Sequence, residues 1–126
     1  MAVSPQFAVI PRLAVVQAST ANTATDGTGT LATVITAAST GTKIYEVVID
    51  AAGNTTAGMV RLFVNDGTNS RLFDEFNISA TTASSTVPTF RTSKTYSNLT
   101  LPSGYSLRGS THNAETFNIF AFGADL

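Results

Sequence analysis

The sequence predicts an all-β protein, an antiparallel β-sandwich or jelly roll of about eight short strands. Two observations predict this fold. First, Thr, Val, Ile and Phe together outnumber the strong helix formers other than Ala, and these residues favour strands. Second, Gly or Pro interrupts almost every stretch, so the β-branched runs are short and are bounded by turn residues. Long helices therefore have no obvious place in this chain.

The chain starts with a segment that contains two prolines, Pro5 and Pro11, which favour an extended backbone. We expect residues 1–19 to form an extended N-terminal arm together with the first strand, and residues 20–126 to form the sandwich domain. The arm is expected either to fray or to lie on a partner. The predicted strands, in order, are Leu13–Ala18, Leu31–Ala37, Lys43–Asp50, Met59–Asn65, Arg71–Ile78, Val87–Tyr96, Ser106–Gly109 and Phe117–Phe122.

Turn and loop residues separate these strands. The stretches Ser19–Thr30 and Ser79–Thr86 are rich in Thr, Ser, Ala and Gly, and we predict loops there. The pair Asp66-Gly67 stands between two apolar runs and tolerates the positive φ that a tight hairpin needs. We therefore predict a hairpin of the fourth and fifth strands. Three apolar residues of the fifth strand are expected to share one face: Leu72, Phe76 and Ile78.

Several predicted strands carry apolar side chains on both faces, although period-two alternation would leave one face polar. In the fourth strand, Phe63 lies opposite the apolar face that contains Leu62. In the last strand, Phe120 and Phe122 lie opposite Ile119. Two explanations stay open. Either the sandwich or its loops cover the second face, or that face packs against a neighbouring subunit.

Charge is scarce, since 12% of the residues carry one, against about a quarter in an ordinary soluble domain. The first 42 residues contain two charges, Arg12 and Asp26. A small monomer normally uses charge to avoid association, so we expect the surface of this chain to be covered in an assembly. The seven Lys and Arg residues are scattered singly, whereas nucleic-acid binding needs them clustered on several phosphates. Nucleic acid is therefore excluded as a partner.

The sequence also argues against a membrane partner. Every apolar run is shorter than the ~20 residues that span a bilayer, and the apolar start lacks the basic segment of a signal peptide. We therefore expect a soluble protein that is made in a cytoplasm. The chain has no Cys, so disulfides and metal sites that use Cys are excluded.

Candidate catalytic and metal-binding groups are few. His112, the single histidine, stands near Ser110 and Glu115, but closeness in sequence does not make a triad, and the hydrolase motifs are lacking. We expect His112 to hydrogen-bond within a turn, and we expect no enzyme activity and no cofactor. The loops at Asp26 and Asp66 supply oxygen ligands, but each has too few carboxylates for calcium. No metal is therefore expected.

Two segments resemble a known group of proteins. One is residues 55–69, which contain Thr-Thr-Ala-Gly-Met-Val-Arg-Leu-Phe followed by Asp-Gly-Thr-Asn. The other is residues 101–118, Leu-Pro-Ser-Gly-Tyr-Ser-Leu-Arg-Gly-Ser-Thr-His-Asn-Ala-Glu-Thr-Phe-Asn. Together they resemble small proteins of tailed-bacteriophage structural gene clusters, some of which resemble capsid decoration (cement) proteins. The resemblance spans about residues 25–126, is weaker before Thr55, and implies a virion context with no catalytic residue.

The resemblance and the scarcity of charge together predict a capsid decoration protein. Such a protein is made in the host cytoplasm, binds the outer surface of the capsid shell and stabilises it. The expected partner is the major capsid protein, and we expect a homo-oligomer, with a trimer favoured. Eight apolar residues are the predicted contacts, the last four of them as far as they lie outside the core: Phe7, Val9, Ile10, Leu13, Phe63, Phe73, Phe120 and Phe122.

Two other functions stay open. A tail or baseplate module that recognises a host surface glycan needs an exposed aromatic pocket, and of the three tyrosines Tyr105 lies in an obvious turn. An enzyme needs His112 beside an acid in a cleft.

Overall fold

The fold is all-β, as the sequence predicts. The computed structural model describes residues 10–126, so the predicted contacts Phe7 and Val9 lie outside the described residues. Within residues 10–126, no helix has the length and apolar character needed to cross a bilayer. The described chain forms the strands β1 (Ile10–Ala18), β2 (Ala32–Thr36), β3 (Thr42–Ala51), β4 (Gly58–Asn65), β5 (Ser70–Ile78), β6 (Arg91–Leu101), β7 (Ser106–Thr111) and β8 (Phe117–Asp125).

The strands form two antiparallel four-stranded sheets that pack as a sandwich. The first sheet has the order β1-β8-β3-β6, and the second has the order β2-β7-β4-β5. The pairs β1–β8, β2–β7 and β3–β6 are nested around the β4–β5 hairpin. The chain thus folds as one long double strand that is rolled up, which is the arrangement of a jelly roll. The predicted sandwich of eight strands is confirmed, whereas the division at residue 20 stays a prediction.

The boundary of β6 differs most from its prediction. The sequence predicts this strand over Val87–Tyr96, whereas β6 begins at Arg91. Pro88 has no N–H to donate to a ladder. The Ser84 hydroxyl also accepts a hydrogen bond from the backbone N–H of Val87. A turn therefore occupies the place where the strand was expected to begin.

The core lies between the two sheets and follows the alternation of each strand. In β8, for example, Phe117, Ile119 and Ala121 point inward and are buried. The sheets approach closely where Gly109 faces Ile119, because a Cβ atom at Gly109 would lie 2.7 Å from the Ile119 Cδ1 atom. The buried residues of this core are Ala18, Val34, Ile35, Ile44, Val47, Ile49, Ala51, Val60, Leu62, Phe76, Ile78, Leu99, Leu101, Leu107, Phe117, Ile119 and Ala121.

The β4–β5 hairpin forms where Asp66-Gly67 predicts it. Asn65 and Ser70 are the last paired residues before the turn, and the Asp66 N–H donates to the Asn69 carbonyl at 3.1 Å. Gly67 has a φ of 98°, a value that glycine adopts at no steric cost. The local sequence signal was therefore sufficient to place this turn.

A β-bulge in the same hairpin changes which residues of β5 face inward. Leu62 pairs with Asp74, but the next residue, Phe63, pairs with Leu72. Phe73 is the extra residue of the bulge. Leu72 therefore shares the outer face with Phe63 and is 39% exposed. The expectation that Leu72 shares the inward face of the other apolar residues of β5 is wrong for this reason.

The β1–β2 loop covers the outer face of the second sheet. It starts beside β7, where the Asn22 N–H donates to the Thr111 carbonyl, and reaches β5, where Gly27 lies against the Ser70 carbonyl. On this path it crosses β4, whose outward residue Phe63 is 0% exposed although it is not part of the core between the sheets. Phe63 is therefore inside the protein and leaves the set of predicted partner contacts.

Asn22 holds this loop in shape. Its side chain is buried, and its Nδ2 donates to the carbonyls of Thr28 and Thr30 at 3.0 and 2.9 Å. Its Oδ1 accepts from the Ala24 N–H at 3.0 Å. Gly27 has a φ of 90° and no side chain, so the loop can lie directly against β5.

A charged cluster closes the side of the sandwich between β5 and β6. Asp74 accepts hydrogen bonds from Lys94 Nζ at 2.9 Å and from the Tyr96 hydroxyl at 2.8 Å. Partial burial alone would raise the pKa of Asp74, but these hydrogen bonds outweigh it and hold the pKa below its ordinary value. Burial and the bond to Asp74 raise the pKa of Tyr96, so its phenol stays protonated.

A second cluster joins the strands on the opposite side. Arg12 of β1 donates through Nη1 to the Thr36 carbonyl of β2 at 2.8 Å and lies 3.2 Å from Asp125 Oδ1 of β8. The Thr42 hydroxyl donates to the same carboxylate oxygen at 2.7 Å. Arg12, one of the two charges in the first 42 residues, is thus used within the protein.

We predict that Phe63→Ala lowers the free energy of unfolding by about 3–5 kcal/mol, because it leaves a cavity beneath the β1–β2 loop. Its cross-strand neighbour Leu72 is the matched control, since it is 39% exposed. Leu72→Ala should cost less than about 1 kcal/mol. Chemical denaturation measures both values, and equal losses would show that the loop does not bury Phe63.

We predict that Asp74→Asn lowers the stability at neutral pH by about 1–3 kcal/mol, because it replaces one of the two accepting oxygens by an NH2 group and removes the charge that strengthens both hydrogen bonds. The folded pKa of Asp74 is depressed, so its stabilisation is present above the unfolded value of about 3.9 and is lost as the pH falls through the folded value. Unfolding measured across this acid range should fall less steeply for Asp74→Asn than for the wild type. Parallel curves would contradict the proposed role of Asp74.

Candidate interaction surface

The outer face of the first sheet, opposite the core, consists of rows of cross-strand neighbours. Tyr45, the extra residue of a bulge in β3, is 42% exposed next to Glu46. Three rows run from β1 through β8 and β3 to β6: Leu13, Phe122, Glu46 and Thr95; Val15, Phe120, Val48 and Ser93; and Gln17, Asn118, Asp50 and Arg91.

Two of these rows contain an apolar area, which we call the outer-face patch: Leu13, Val15, Val48, Phe120 and Phe122. Leu13 and Val15 are 63% and 55% exposed. The rings of Phe120 and Phe122 are half-buried and stack side by side, with centroids 6.5 Å apart. Val48, in the middle of its row, is nearly covered by its neighbours. An exposed apolar area of this kind is a candidate interaction site.

Polar side chains border the outer-face patch at one end. Gln17 Nε2 donates to Asn118 Oδ1 at 3.1 Å, and Arg91 Nη1 lies 3.3 Å from Asp50 Oδ2. Both pairs are exposed to solvent, so they contribute little to stability. An apolar centre with a polar rim is the usual composition of a protein–protein interface.

The free edge of β1 continues the outer-face patch. Within the described residues, β1 pairs with β8 alone, so its other edge belongs to no ladder. The stretch Leu13–Ala18 contains no charged residue, although charges are a common protection of edge strands against pairing. A partner can therefore contact the side chains of the patch and the backbone of β1 together.

The structure brings three of the predicted contacts together, because Leu13, Phe120 and Phe122 all belong to the outer-face patch. Ile10 is 57% exposed at the start of β1, but alternation places its side chain on the other face of that strand. Phe73 is 41% exposed on β5, in the other sheet. Contact of any of these residues with a partner stays a prediction.

Sequence analysis missed two exposed residues of this face, Val15 and Tyr45. Val15 follows Leu13 by two positions, so strand periodicity places both on one side and could have found it. Tyr45 is exposed through the bulge in β3, and a bulge leaves no local signal in the sequence. The first residue was therefore predictable, and the second was not.

His112 lies beside an ion pair. Its Nδ1 lies 3.2 Å from Arg61 Nη1, while Arg61 Nε donates to Glu75 Oε1 at 2.8 Å. Glu115, the acid considered for a triad, accepts hydrogen bonds from the N–H and the hydroxyl of Thr56. His112 and Glu115 therefore contact different residues. The contact of His112 with Arg61 lies on the outer face of the second sheet.

Asp26 and Asp66 accept hydrogen bonds from their own loops. The Asn69 and Thr68 N–H groups donate to Asp66 Oδ1 and lower the pKa of Asp66. The hydroxyl and N–H of Thr28 donate to Asp26 Oδ1 and lower the pKa of Asp26. In the part of the chain that the structure describes, no three metal-ligating His, Asp or Glu side chains come together.

An aromatic groove lies between β5 and β6. It has a volume of about 290 Å³ and includes Phe73 and Tyr96, whose ring centroids are 5.4 Å apart. The Tyr96 hydroxyl is already bonded to Asp74. Tyr105, the aromatic residue that the sequence places in a turn, is partly buried and packs against the core. Tyr105 is therefore poorly placed to serve as a flat sugar platform.

Comparison with known proteins found no family model and no curated protein that matches this chain. A solved structure that matches is the crystal structure of a pentameric capsid protein isolated from metagenomic phage sequences. It shares 16% sequence identity with this chain, and the TM-score is 0.41. The match covers 89% of this chain and 61% of that one, so this chain spans less than two thirds of its length. The function proposed below therefore depends on the chain's own sequence and surface.

Proposed function

We propose that this protein is a phage virion structural protein, a capsid decoration (cement) protein that binds the outer surface of the shell and stabilises it. The major capsid protein is its partner. The observation that carries the proposal is the outer-face patch, an exposed apolar area with a polar rim on the first sheet. The sequence resemblance over residues 25–126 supports the phage context. The jelly roll agrees with this function by analogy, since viral capsid proteins, lectins and cupins all use it.

Covering the outer-face patch removes apolar surface from water. Full burial of a Leu, Val or Phe side chain gives about 1.5–3 kcal/mol, whereas association costs about 4–15 kcal/mol in lost freedom. One patch alone therefore binds weakly. A shell repeats the same binding site, so an oligomer that engages several capsid subunits at once gains affinity without stronger individual contacts.

Engaging several capsid subunits at once requires more than one copy of this chain, so we propose that the protein self-associates. A trimer is the assembly that we favour. The scarcity of charge in the first 42 residues supports contacts between copies in this part of the chain. Ile10 is exposed at the start of β1, and the apolar residues Phe7 and Val9 lie three and one positions before it in the sequence. We assign these three residues to contacts with the shell or with a second copy.

We predict that the double variant Leu13→Gln/Val15→Thr binds empty shells at least about tenfold more weakly than the wild type. Burial of each side chain is worth about 1.5–3 kcal/mol, and 1.4 kcal/mol is a factor of ten. Co-sedimentation with shells of the major capsid protein measures the binding.

The matched control is Leu72→Gln/Val87→Thr, which makes the same chemical changes at residues that are 39% and 43% exposed outside the patch. This control should pellet with shells as the wild type does. The proposal fails if the wild type never pellets with shells, or if both double variants lose binding equally.

We predict that light scattering after size exclusion gives the mass of three copies of the 13.1 kDa chain. The Leu13→Gln/Val15→Thr variant separates the two uses of this face. If it stays trimeric but leaves the shell, the patch binds the capsid. A mass of one copy for a wild type that still binds shells would overturn the trimer and leave the decoration function standing.

A further inference from the structure

Two bulges, one in β5 and one in β6, line the aromatic groove between these strands. In β5, Phe73 is the extra residue of the bulge and is 41% exposed. In β6, residues 96–98 stand opposite the single residue Tyr45 of β3, so the ladder is interrupted there. Bulges often occur next to functional sites, where they re-aim a side chain. The aromatic groove is therefore a candidate site for a partner.

The lining of the aromatic groove is aromatic and uncharged. The rings of Phe73 and Tyr96 lie 5.4 Å apart, and Leu99 joins the groove to the core. The charges of Asp74 and Lys94, on the same two strands, bond to each other at 2.9 Å. An uncharged apolar side chain can therefore leave water beside the two rings without leaving a charge unpaired. The described lining residues are Phe73, Thr95, Tyr96, Ser97, Asn98 and Leu99.

The segment that precedes β1 has the chemistry to fill this groove. Residues 1–9 lie outside the described residues, and their sequence, Met-Ala-Val-Ser-Pro-Gln-Phe-Ala-Val, contains no charged side chain. Phe7 is the one aromatic residue among them. An aromatic side chain that enters a pocket is a common anchor of protein–protein contacts, because it removes a large and rigid area from water. Pro5 restricts the free segment, so less conformational entropy is lost when it docks.

The length of the segment limits which groove Phe7 can reach. Ile10, where the described chain starts, stands in a row that runs through β8 and β3 to Leu101 of β6. Three strand spacings place Ile10 about 14 Å from Leu101, and the groove lies further along β6, beyond Leu99. An extended chain carries the Cα atom of Phe7 at most about 11 Å from Ile10. The groove of its own copy is therefore out of reach, and a second copy has to supply it.

The two surfaces of this contact lie at opposite edges of the first sheet. β1, from which the segment leaves, is one edge strand, and β6 is the other. A contact between two different surfaces of identical chains is heterologous, and it forms a ring when the rotation between copies closes. Each copy of such a ring gives one segment and receives another. A ring of three copies agrees with the trimer proposed above.

We propose that Phe7 of one copy inserts into the aromatic groove of the next copy, beside Phe73 and Tyr96. This inference rests on the self-association proposed above and deepens it, because it names the contact through which the copies meet. The contact uses none of the residues of the outer-face patch. The patch of every copy in the ring therefore stays free to bind the shell.

Light scattering after size exclusion of the full-length protein tests the contact. Phe7→Ser and Phe73→Ser should each weaken the association of copies at least about tenfold, because both remove apolar area from the same contact. Leu72→Ser is the matched control, since Leu72 is 39% exposed next to Phe73 but lies on the outer face of the second sheet. This control should keep the mass of the wild type. Equal dissociation of all three variants, or a Phe73→Ser variant that keeps the wild-type mass, would overturn the proposal.

Disulfide formation identifies the copy that receives the segment. The chain has no Cys, so the double variant Ala8→Cys/Ser97→Cys contains two thiols, one beside Phe7 and one at the groove. Oxidation should link separate copies, up to three, on a non-reducing gel, because the contact brings the two thiols together. In the control Ala8→Cys/Ser93→Cys, Ser93 is exposed on β6 outside the groove, so links should form at least about tenfold more slowly. A disulfide within one chain, or equal rates for the two variants, would refute the contact.

These experiments use the isolated protein, so their failure is distinct from failure of the decoration function. If Ala8→Cys/Ser97→Cys links copies specifically but the wild type never pellets with shells, the contact stands and the decoration function fails. If the wild type pellets with shells but the two Cys variants link equally, the contact fails and the decoration function stands. A Phe7→Ser variant that keeps the wild-type mass but leaves the shell would assign Phe7 to the capsid and overturn the contact.

Discussion

Each strand of a two-layer sandwich has a second face that the core does not cover. In this molecule a loop covers part of the outer face of one sheet, whereas the outer face of the other sheet stays exposed. In the second sheet, Phe63 lies beneath the β1–β2 loop and Arg61 lies between Glu75 and His112. In the first sheet, Leu13 and Val15 point outward and stay exposed. Side-chain alternation is the cause in both sheets: a strand with apolar residues on both sides buries one side in the core, and its other apolar side is left outside the core. The difference between the sheets is the loop that crosses one of them.

Local signals in the sequence predicted more of the fold than of the surface. Each of the eight predicted strands overlaps a strand of the structure, although β6 begins four residues later than predicted, and Asp66-Gly67 predicted the turn of the β4–β5 hairpin. The order of the strands was not predictable, because pairs such as β1–β8 join residues about a hundred positions apart. The bulge that turns Leu72 outward was also invisible, since one extra residue reverses the alternation without changing composition. Burial of Phe63 likewise depends on the distant contact of Gly27 with Ser70.

The outer faces of the two sheets differ in chemistry, which the low overall charge of the chain does not reveal. The outer face of the first sheet is apolar at its centre, with Leu13 and Phe122 in one row and Val15 and Phe120 in the next. The second sheet carries a polar pocket between the β1–β2 loop, the β4–β5 hairpin and Arg108 of β7. The apolar area and the polar pocket therefore lie on different sheets, and each can be altered by substitution without the other.

Because the strand pairs are nested, they differ in the length of chain that separates the two strands, and so in the loop-closure entropy that is lost when the strands pair. β4 and β5 are joined by a short turn, whereas Gln17 of β1 and Asn118 of β8 bond across 101 residues of chain. Loop-closure entropy therefore favours pairing from the hairpin outward, and β1 joins last. A newly made chain keeps Leu13 and Val15 on an unpaired strand until β8 has been synthesised. Among the described residues, the strand with the most exposed large apolar side chains is thus also the one most open to premature aggregation.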